Sequence, residues 1–155
     1  MTDRDWNKFR QTTDAMIGRV GRSIVAVFAG EEDDEFPFAY TIGNHLKGLP
    51  ELLVIGTNEA GFLNKLSQMM IDTGETFGDG RVVSLPSGGA PADLRLKLIR
   101  AGNVARTEYA VQAGEHFGHD DYSIMQVLIS DKDGRFPGEK GCQEPYSRVP
   151  VLRLE

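Results

Sequence analysis

The chain has 155 residues, 40% of them hydrophobic, and a formal net charge of -6. A chain of this length buries roughly 70% of its unfolded surface, enough for one real core. The acidic balance argues against a broad electrostatic grip on nucleic acid or anionic lipid, and no apolar run approaches the roughly 20 residues that span a bilayer. The single cysteine, Cys142, excludes an internal disulfide. With a Met1 start that carries no basic-then-apolar leader, this is the pattern expected of a cytoplasmic protein.

Residues 3–18 predict an amphipathic helix. Trp6, Phe9, Thr13, Met16, Ile17 and Val20 recur at helical spacing, Thr2 or Asp3 can cap the start, and Gly18 and Gly21 end it. Residues 23–29 predict a strand, so continuously apolar that a central place in a sheet is expected. Residues 31–35 are five consecutive carboxylates. They predict a solvated hairpin loop, since the spaced oxygen ligands and mid-loop glycine of a Ca²⁺ site are missing. Residues 36–43 predict a second strand antiparallel to the first, and 51–56 a third. Asn58 would cap a helix running to Thr73, with Phe62, Leu63, Leu66, Met69 and Met70 as its core stripe and Gly74 closing it.

Residues 74–80 read as a connector, 82–85 as a short strand and 86–91 as a loop with strong breaker signals. Residues 94–98 alternate strictly, which predicts a strand with one wet, basic face. A short helix over 105–113 would be capped by Asn103. Residues 122–130 predict another strand, 131–134 a turn with an Asp-Gly hairpin signal, and 149–154 a last edge strand that tolerates Pro150. No repeat or linker divides the chain, so one domain over 1–155 is expected. Strands pair as hairpins with helices between some of them. The expected fold class is α+β: a mainly antiparallel curved sheet or partial barrel flanked by two or three helices.

Two groupings carry candidate chemistry. His116, His119 and Asp120 fall within a few positions and offer metal ligands, although imidazoles three apart converge well only on a helix. His45 sits on the loop between two glycine-ended strands with Glu51 just beyond it, a pair that could move protons or orient a substrate. Nucleophilic catalysis finds little support. Cys142 has no histidine near it in sequence, and Ser87 does not sit in a G-x-S-x-G elbow. Phosphate-loop and dinucleotide fingerprints are missing, and Ser87-Gly88-Gly89 offers at most a short backbone nest for an anion. Arg95, Lys97, Arg100 and Arg106 form a basic patch that could receive an anionic ligand or a partner's acidic face.

A run of motifs carries a resemblance. Phe38-Ala39-Tyr40-Thr41-Ile42-Gly43, Leu49-Pro50-Glu51-Leu52, Gly56, Leu63-Asn64, Gln126-Val127-Leu128 and Asp131-Lys132-Asp133-Gly134-Arg135-Phe136-Pro137 resemble, in order, the bacterial and phage DUF4262 family. The resemblance covers a core of about residues 20–140. Two departures stand out: Ile129-Ser130 replaces a usual Trp-Pro, and Gly138 stands where tryptophan is common. The resemblance implies a fold and positions of interest rather than a reaction. Element order also resembles, more loosely, flavin-binding split barrels, which would make FMN a cofactor held by Ser84, Ser87, Arg95 and Tyr40.

The sequence thus predicts a small cytosolic accessory domain with a ligand or partner cleft at one end of the sheet, bordered by the 43–50 loop and the 131–137 turn. Tyr40, Thr41, Asn44, Gln126 and Arg135 are the expected ligand contacts, and Gln126, if buried, must be either a hydrogen-bond hub or one of those contacts. Two other readings are a flavin-dependent or metal-assisted enzyme, and a protein-binding module or homodimer that pairs through an exposed edge strand.

Overall fold

The computed structural model describes residues 2–28, 36–57, 61–85 and 94–154. Thr2 opens α1 (Asp3–Val20) with a reciprocal capping box: its hydroxyl accepts the Asp5 N–H at 3.1 Å and in turn donates to the Asp5 carboxylate at 2.8 Å. Gly21, in the left-handed region, ends the helix two residues later than the sequence suggested. Of its apolar stripe only Thr13 is fully buried, because α1 lies on the rim of the core, and Val20 points out.

Six strands follow: β1 (Ser23–Val27), β2 (Phe38–Ile42), β3 (Glu51–Ile55), β4 (Arg81–Leu85), β5 (Leu94–Arg100) and β6 (Ile124–Ile129). They make one open sheet in the order β1-β2-β3-β6-β5-β4. The pairings are antiparallel except for β3 with β6, which run parallel with Glu51 opposite Ile124. The fold is therefore α+β as expected, but the sheet is mixed and does not close. The parallel contact joins strands nearly 70 residues apart, so no local turn signal announces it. Both faces of β3 are buried, as a strand with a parallel neighbour at the sheet centre requires.

α2 (Gly61–Thr73) covers one face, packing Leu63, Leu66 and Met70 on Ala39, Leu52, Val54, Leu96, Leu98 and Val127. The other face, with Tyr40, Ile42, Leu53 and Ile124, is covered by α1 through Phe9 and Ile17 and by the 105–117 segment. Further along this face, Ile99 and Leu128 pack on Phe136 and Val151 of the C-terminal region.

Three expectations need correcting. β1 is an edge strand: among the described residues it pairs only with β2. Ile24 packs on the α2 side and Val25 on the α1 side. A continuously apolar strand reports layers above and below it, and says nothing of neighbours on either side. Residues 105–113 do not form one helix. Ala105–Tyr109 is a π turn, closed by the Ala110 N–H on the Ala105 carbonyl at 2.8 Å, and α3 (Val111–Phe117) starts afresh. Ala105 in the turn, Ala110 just after it and Ala113 in α3 are three small buried side chains that let this segment approach the sheet. Asn103 does not cap it; the amide oxygen of Asn103 accepts from Arg106 instead. Finally, residues 149–154 form no strand. Their one ladder-type pairing is an isolated bridge, Ala101 with Arg153, beside the Leu154 N–H on the Arg100 carbonyl at 2.8 Å. The acidic run 31–35, the Asn58 cap and the 86–91 loop lie outside the described residues.

Candidate functional site

β2 leads into the 43–50 loop through Gly43, whose φ of +130° a side chain rarely adopts. A Cβ there would also stand 2.9 Å from the Arg22 Cα and the Gly21 carbonyl. A 3₁₀ turn, Asn44–Lys47, follows. Glu51, the first residue of β3 and fully buried, reaches back under this turn. Its carboxylate accepts from the Thr41 hydroxyl at 2.7 Å and from the N–H groups of Gly43 at 3.0 Å, Asn44 at 3.2 Å and His45 at 3.0 Å. Burial pushes its carboxyl above the usual range, and these four donors oppose that.

Asn44 extends the scaffold. Its amide donates to the Ser67 hydroxyl at 2.9 Å and the Pro50 carbonyl at 3.2 Å, and its oxygen accepts from Arg22 at 3.3 Å. Arg22, 3% exposed, also donates to Asn64 and Gln68 on α2. Thus Thr41, Asn44 and Glu51, expected as contacts or catalysts, together set the backbone of the loop. The hydrogen bond between His45 and Glu51 comes from the His45 backbone; the imidazole turns elsewhere.

It turns toward the other loop at this end of the sheet. Because β3 and β6 are parallel, residues 118–123 before β6 stand beside the 43–50 loop. The His45 ring centroid lies 5.1 Å from Phe117, 5.3 Å from His119 and 6.0 Å from Tyr122. α3 ends on Gly118, and the His119 Nδ1 accepts the Asp121 N–H at 3.0 Å. A neutral His119 therefore carries its proton on Nε2. Tyr122 lies so close to α3 that a Cβ on Gly114 would be 3.3 Å from its hydroxyl oxygen. Arg106, from the π turn, stacks over the Tyr122 ring at 5.2 Å and donates to the Tyr122 carbonyl and to Asn103, while its Nε is buried without a partner. Burial holds the Tyr122 phenol above its usual range, and the Arg106 charge opposes this.

Between the two loops lies a cleft of about 430 Å³ bordered by His45, Leu49, Arg106, Asp120, Asp121 and Tyr122. A second hollow of about 340 Å³ shares Arg106, Asp120 and Tyr122 with it and reaches His119 and Glu115. Around these two adjoining hollows stand the imidazoles of His45 and His119, a guanidinium, carboxylates and Tyr122. Such a set can hold a polar ligand and exchange protons with it.

The other expected residues are dispersed. His116 sits in α3, on the far side of Gly118 from His119, with its Nε2 3.3 Å from Asp14 of α1. The helix end thus separates the two imidazoles that a metal would have joined, and among the described residues no group of three His, Cys, Asp or Glu side chains is placed to hold a metal ion. The Tyr40 hydroxyl donates to Gln112 at 3.2 Å beneath the 105–117 segment, and burial holds it well above the usual phenol range. Gln126 is a hub: its amide donates to the Pro150 carbonyl at 2.6 Å and accepts the Leu152 N–H at 2.8 Å.

Arg135 and the 131–137 turn follow β6 and so lie at the opposite end of the sheet from the 43–50 loop. The two do not border one cleft, because a parallel neighbour puts the strand's exit where a hairpin would put its entry. In this turn the Asp131 carboxylate accepts from the N–H groups of Asp133, Arg135 and Gln143, each at 2.9 Å. Burial of Cys142 pushes its thiol up, and the nearby Asp131 and Glu139 carboxylates add to that, the reverse of an activated nucleophile. Ser84 and Arg95 face each other on β4 and β5, with β6 and β3 between them and Tyr40 on β2. Those flavin contacts are not gathered, and Ser87 lies outside the described residues. The basic patch is also divided. Lys97 pairs with Glu139 at 3.5 Å and Arg95 lies over Phe136, whereas Arg106 belongs to the polar cleft.

A further hollow of about 620 Å³ opens at the 131–137 end, walled by apolar residues such as Ile55, Phe62, Ile129 and Val149. Tyr146 is the one titratable residue on its described walls, and Phe36, Thr57, Gly61 and Leu94 there border undescribed residues.

A family model described as "Domain of unknown function (DUF4262)" matches residues 16–143. The chain belongs to the DUF4262 family. No curated protein and no solved structure matches it. In this DUF4262 chain the matched residues hold the whole sheet, α2, the π turn and α3, and with them the polar cleft. Most of α1 and the tail after Gln143 lie outside the match. Sequence reading found His45 and His119 but kept them in separate sites. Tyr122 and the part Arg106 plays here were not read from the sequence, and Asp120 and Asp121 were read as metal ligands beside His116 and His119. What joins the two loops is the parallel β3–β6 pairing, which neither strand announces on its own.

Proposed function

We propose that this DUF4262 chain is a small cytoplasmic accessory domain that binds a small polar ligand in the cleft between the 43–50 and 118–123 loops. The observation that supports this is the meeting of His45 and His119, with ring centroids 5.3 Å apart, at a cleft bordered by Arg106, Asp120 and Tyr122. The Glu51 scaffold beneath His45 favours the reading, since a binding group held by packed neighbours loses little entropy when a ligand arrives. The lone Cys142 suits a reducing compartment. The imidazole pair also leaves room for acid–base catalysis on whatever is bound.

A thermal-shift screen of small polar metabolites tests this, because a ligand that binds the native state raises its apparent stability. A hit should stabilise the wild type and lose that effect in His45→Ala and in His119→Ala. A hit that stabilises both variants as well as the wild type places the ligand elsewhere.

A second reading is association through a sheet edge. β1 is an edge strand that leads into Phe28, 77% exposed, and β4, at the other edge, presents Val82 at 40%. Light scattering after size exclusion would decide it, with a dimer that dissociates in Phe28→Asp as the supporting result.

A further inference from the structure

We infer that the polar cleft takes a small zwitterion, a molecule the size of one or two amino acids that carries both a carboxylate and an ammonium group. The inference rests on the cleft reading above and names its ligand class. Arg106 and Asp120 both border the cleft and the hollow that adjoins it. The ion pairs among the described residues are Lys97 with Glu139, His116 with Asp14, Arg135 with Asp133 and Arg153 with Asp79. Neither Arg106 nor Asp120 nor Asp121 is in any of them.

Arg106 is half-buried and Asp120 is exposed, and they do not pair across the cleft they share. Here both are held in place. Arg106 is pinned over the Tyr122 ring by its bonds to the Tyr122 carbonyl and the Asn103 side chain. Asp120 and Asp121 ride on a loop tied back by the Asp121 N–H on His119 Nδ1. Opposite charges therefore border the same cleft without pairing with each other, and the buried Arg106 Nε is without a partner.

A carboxylate would take the free Nη donors of Arg106, with the Nε2–H of a neutral His119 as a further donor. An ammonium would meet Asp120 and Asp121. A simple anion would face those two carboxylates and a simple cation would face the guanidinium, so each gains less than a molecule that carries both charges. The volumes, about 430 Å³ and 340 Å³, admit a ligand of this size.

Calorimetric titration of the full chain with free amino acids and dipeptides, with their N-acetyl derivatives and with their C-terminal amides separates the classes. At least one free zwitterion should bind, and blocking either end should weaken it about tenfold or more, the usual scale of a charge-assisted hydrogen bond. Asp120→Asn should shrink the penalty for N-acetylation and leave that for amidation unchanged, and Arg106→Gln should do the reverse; circular dichroism confirms that both variants fold. An N-acetyl or amide form that binds as tightly as its parent overturns the zwitterion assignment and leaves the cleft reading intact. Failure of all three forms also overturns it. If the thermal-shift screen still returns a His45-dependent ligand, only the class was wrong; if it does not, the cleft reading falls too.

Discussion

At the scale of single residues, the 43–50 loop rests on one carboxylate. Thr41, Gly43, Asn44 and His45 all aim donors at Glu51. An amide there would set its own N–H₂ against N–H groups. Glu51→Gln, nearly isosteric, should therefore cost roughly 2–4 kcal/mol, since a buried donor left unpaired costs about 1–3 kcal/mol. Urea unfolding measures this, and a change within about 0.5 kcal/mol would show that the loop does not depend on the charge.

Asp131 permits a pH prediction. Burial works against its charge, but three backbone N–H groups and the Arg135 charge outweigh it and hold the carboxyl below the usual range. A folded-state value below the unfolded one stabilises above the ordinary carboxylate pKa of about 4, and that contribution is lost as the pH falls through the folded value. Amides of residues 131–143 should thus exchange faster on acidification below about pH 4, relative to the rest of the sheet. Asp131→Asn should remove that pH dependence, and an unchanged profile in the variant would contradict the assignment. Residue identity made these two side chains visible in the sequence but not their roles. A glutamate that opens a strand looks like a catalyst when its acceptors point to solvent, and like a brace when a turn folds over it. Only the path of the loop decides between them.

At the scale of elements, local rules served well where local forces dominate. The Thr2 cap, the Gly74 stop and the apolar stripe of α2 lie where spacing put them, since helix ends and faces are set within a few residues. Hairpin β1–β2 was legible for the same reason. What failed was non-local. The parallel β3–β6 contact cannot be read from either strand alone, and it decides which loops share an end of the sheet. The C-terminal tail failed for a related reason. A proline that an edge strand tolerates left room for a strand there, whereas one side chain, Gln126, supplies the donor and acceptor that a neighbouring strand would have offered. Gln126→Leu should leave the Pro150 carbonyl and the Leu152 N–H without partners, destabilising the fold by about 2–4 kcal/mol and speeding protease cleavage within residues 149–154. Cleavage at the wild-type rate would mean that packing of Val151 on Ile99 and Leu128 holds the tail without the amide.

At the scale of the whole molecule, the sheet separates two hollows of different character. The end that follows β3 and β6 is apolar, and the end that precedes them gathers histidine, arginine and carboxylates. The segments outside the family match are built into this frame. The start of α1 packs through Phe9 and touches α3 through Asp14 and His116, and the tail is fixed by Gln126. The polar end is where the matched part of the chain concentrates groups that packing alone does not require, and that is the central claim. Two-dimensional ¹H–¹⁵N spectra of the full chain, titrated with a ligand from the screen, test it most directly. The largest shifts are expected at His45, Arg106, His119 and Tyr122, with Ile55, Ile129 and Tyr146 unmoved; shifts concentrated at those last three would place the ligand at the apolar end instead.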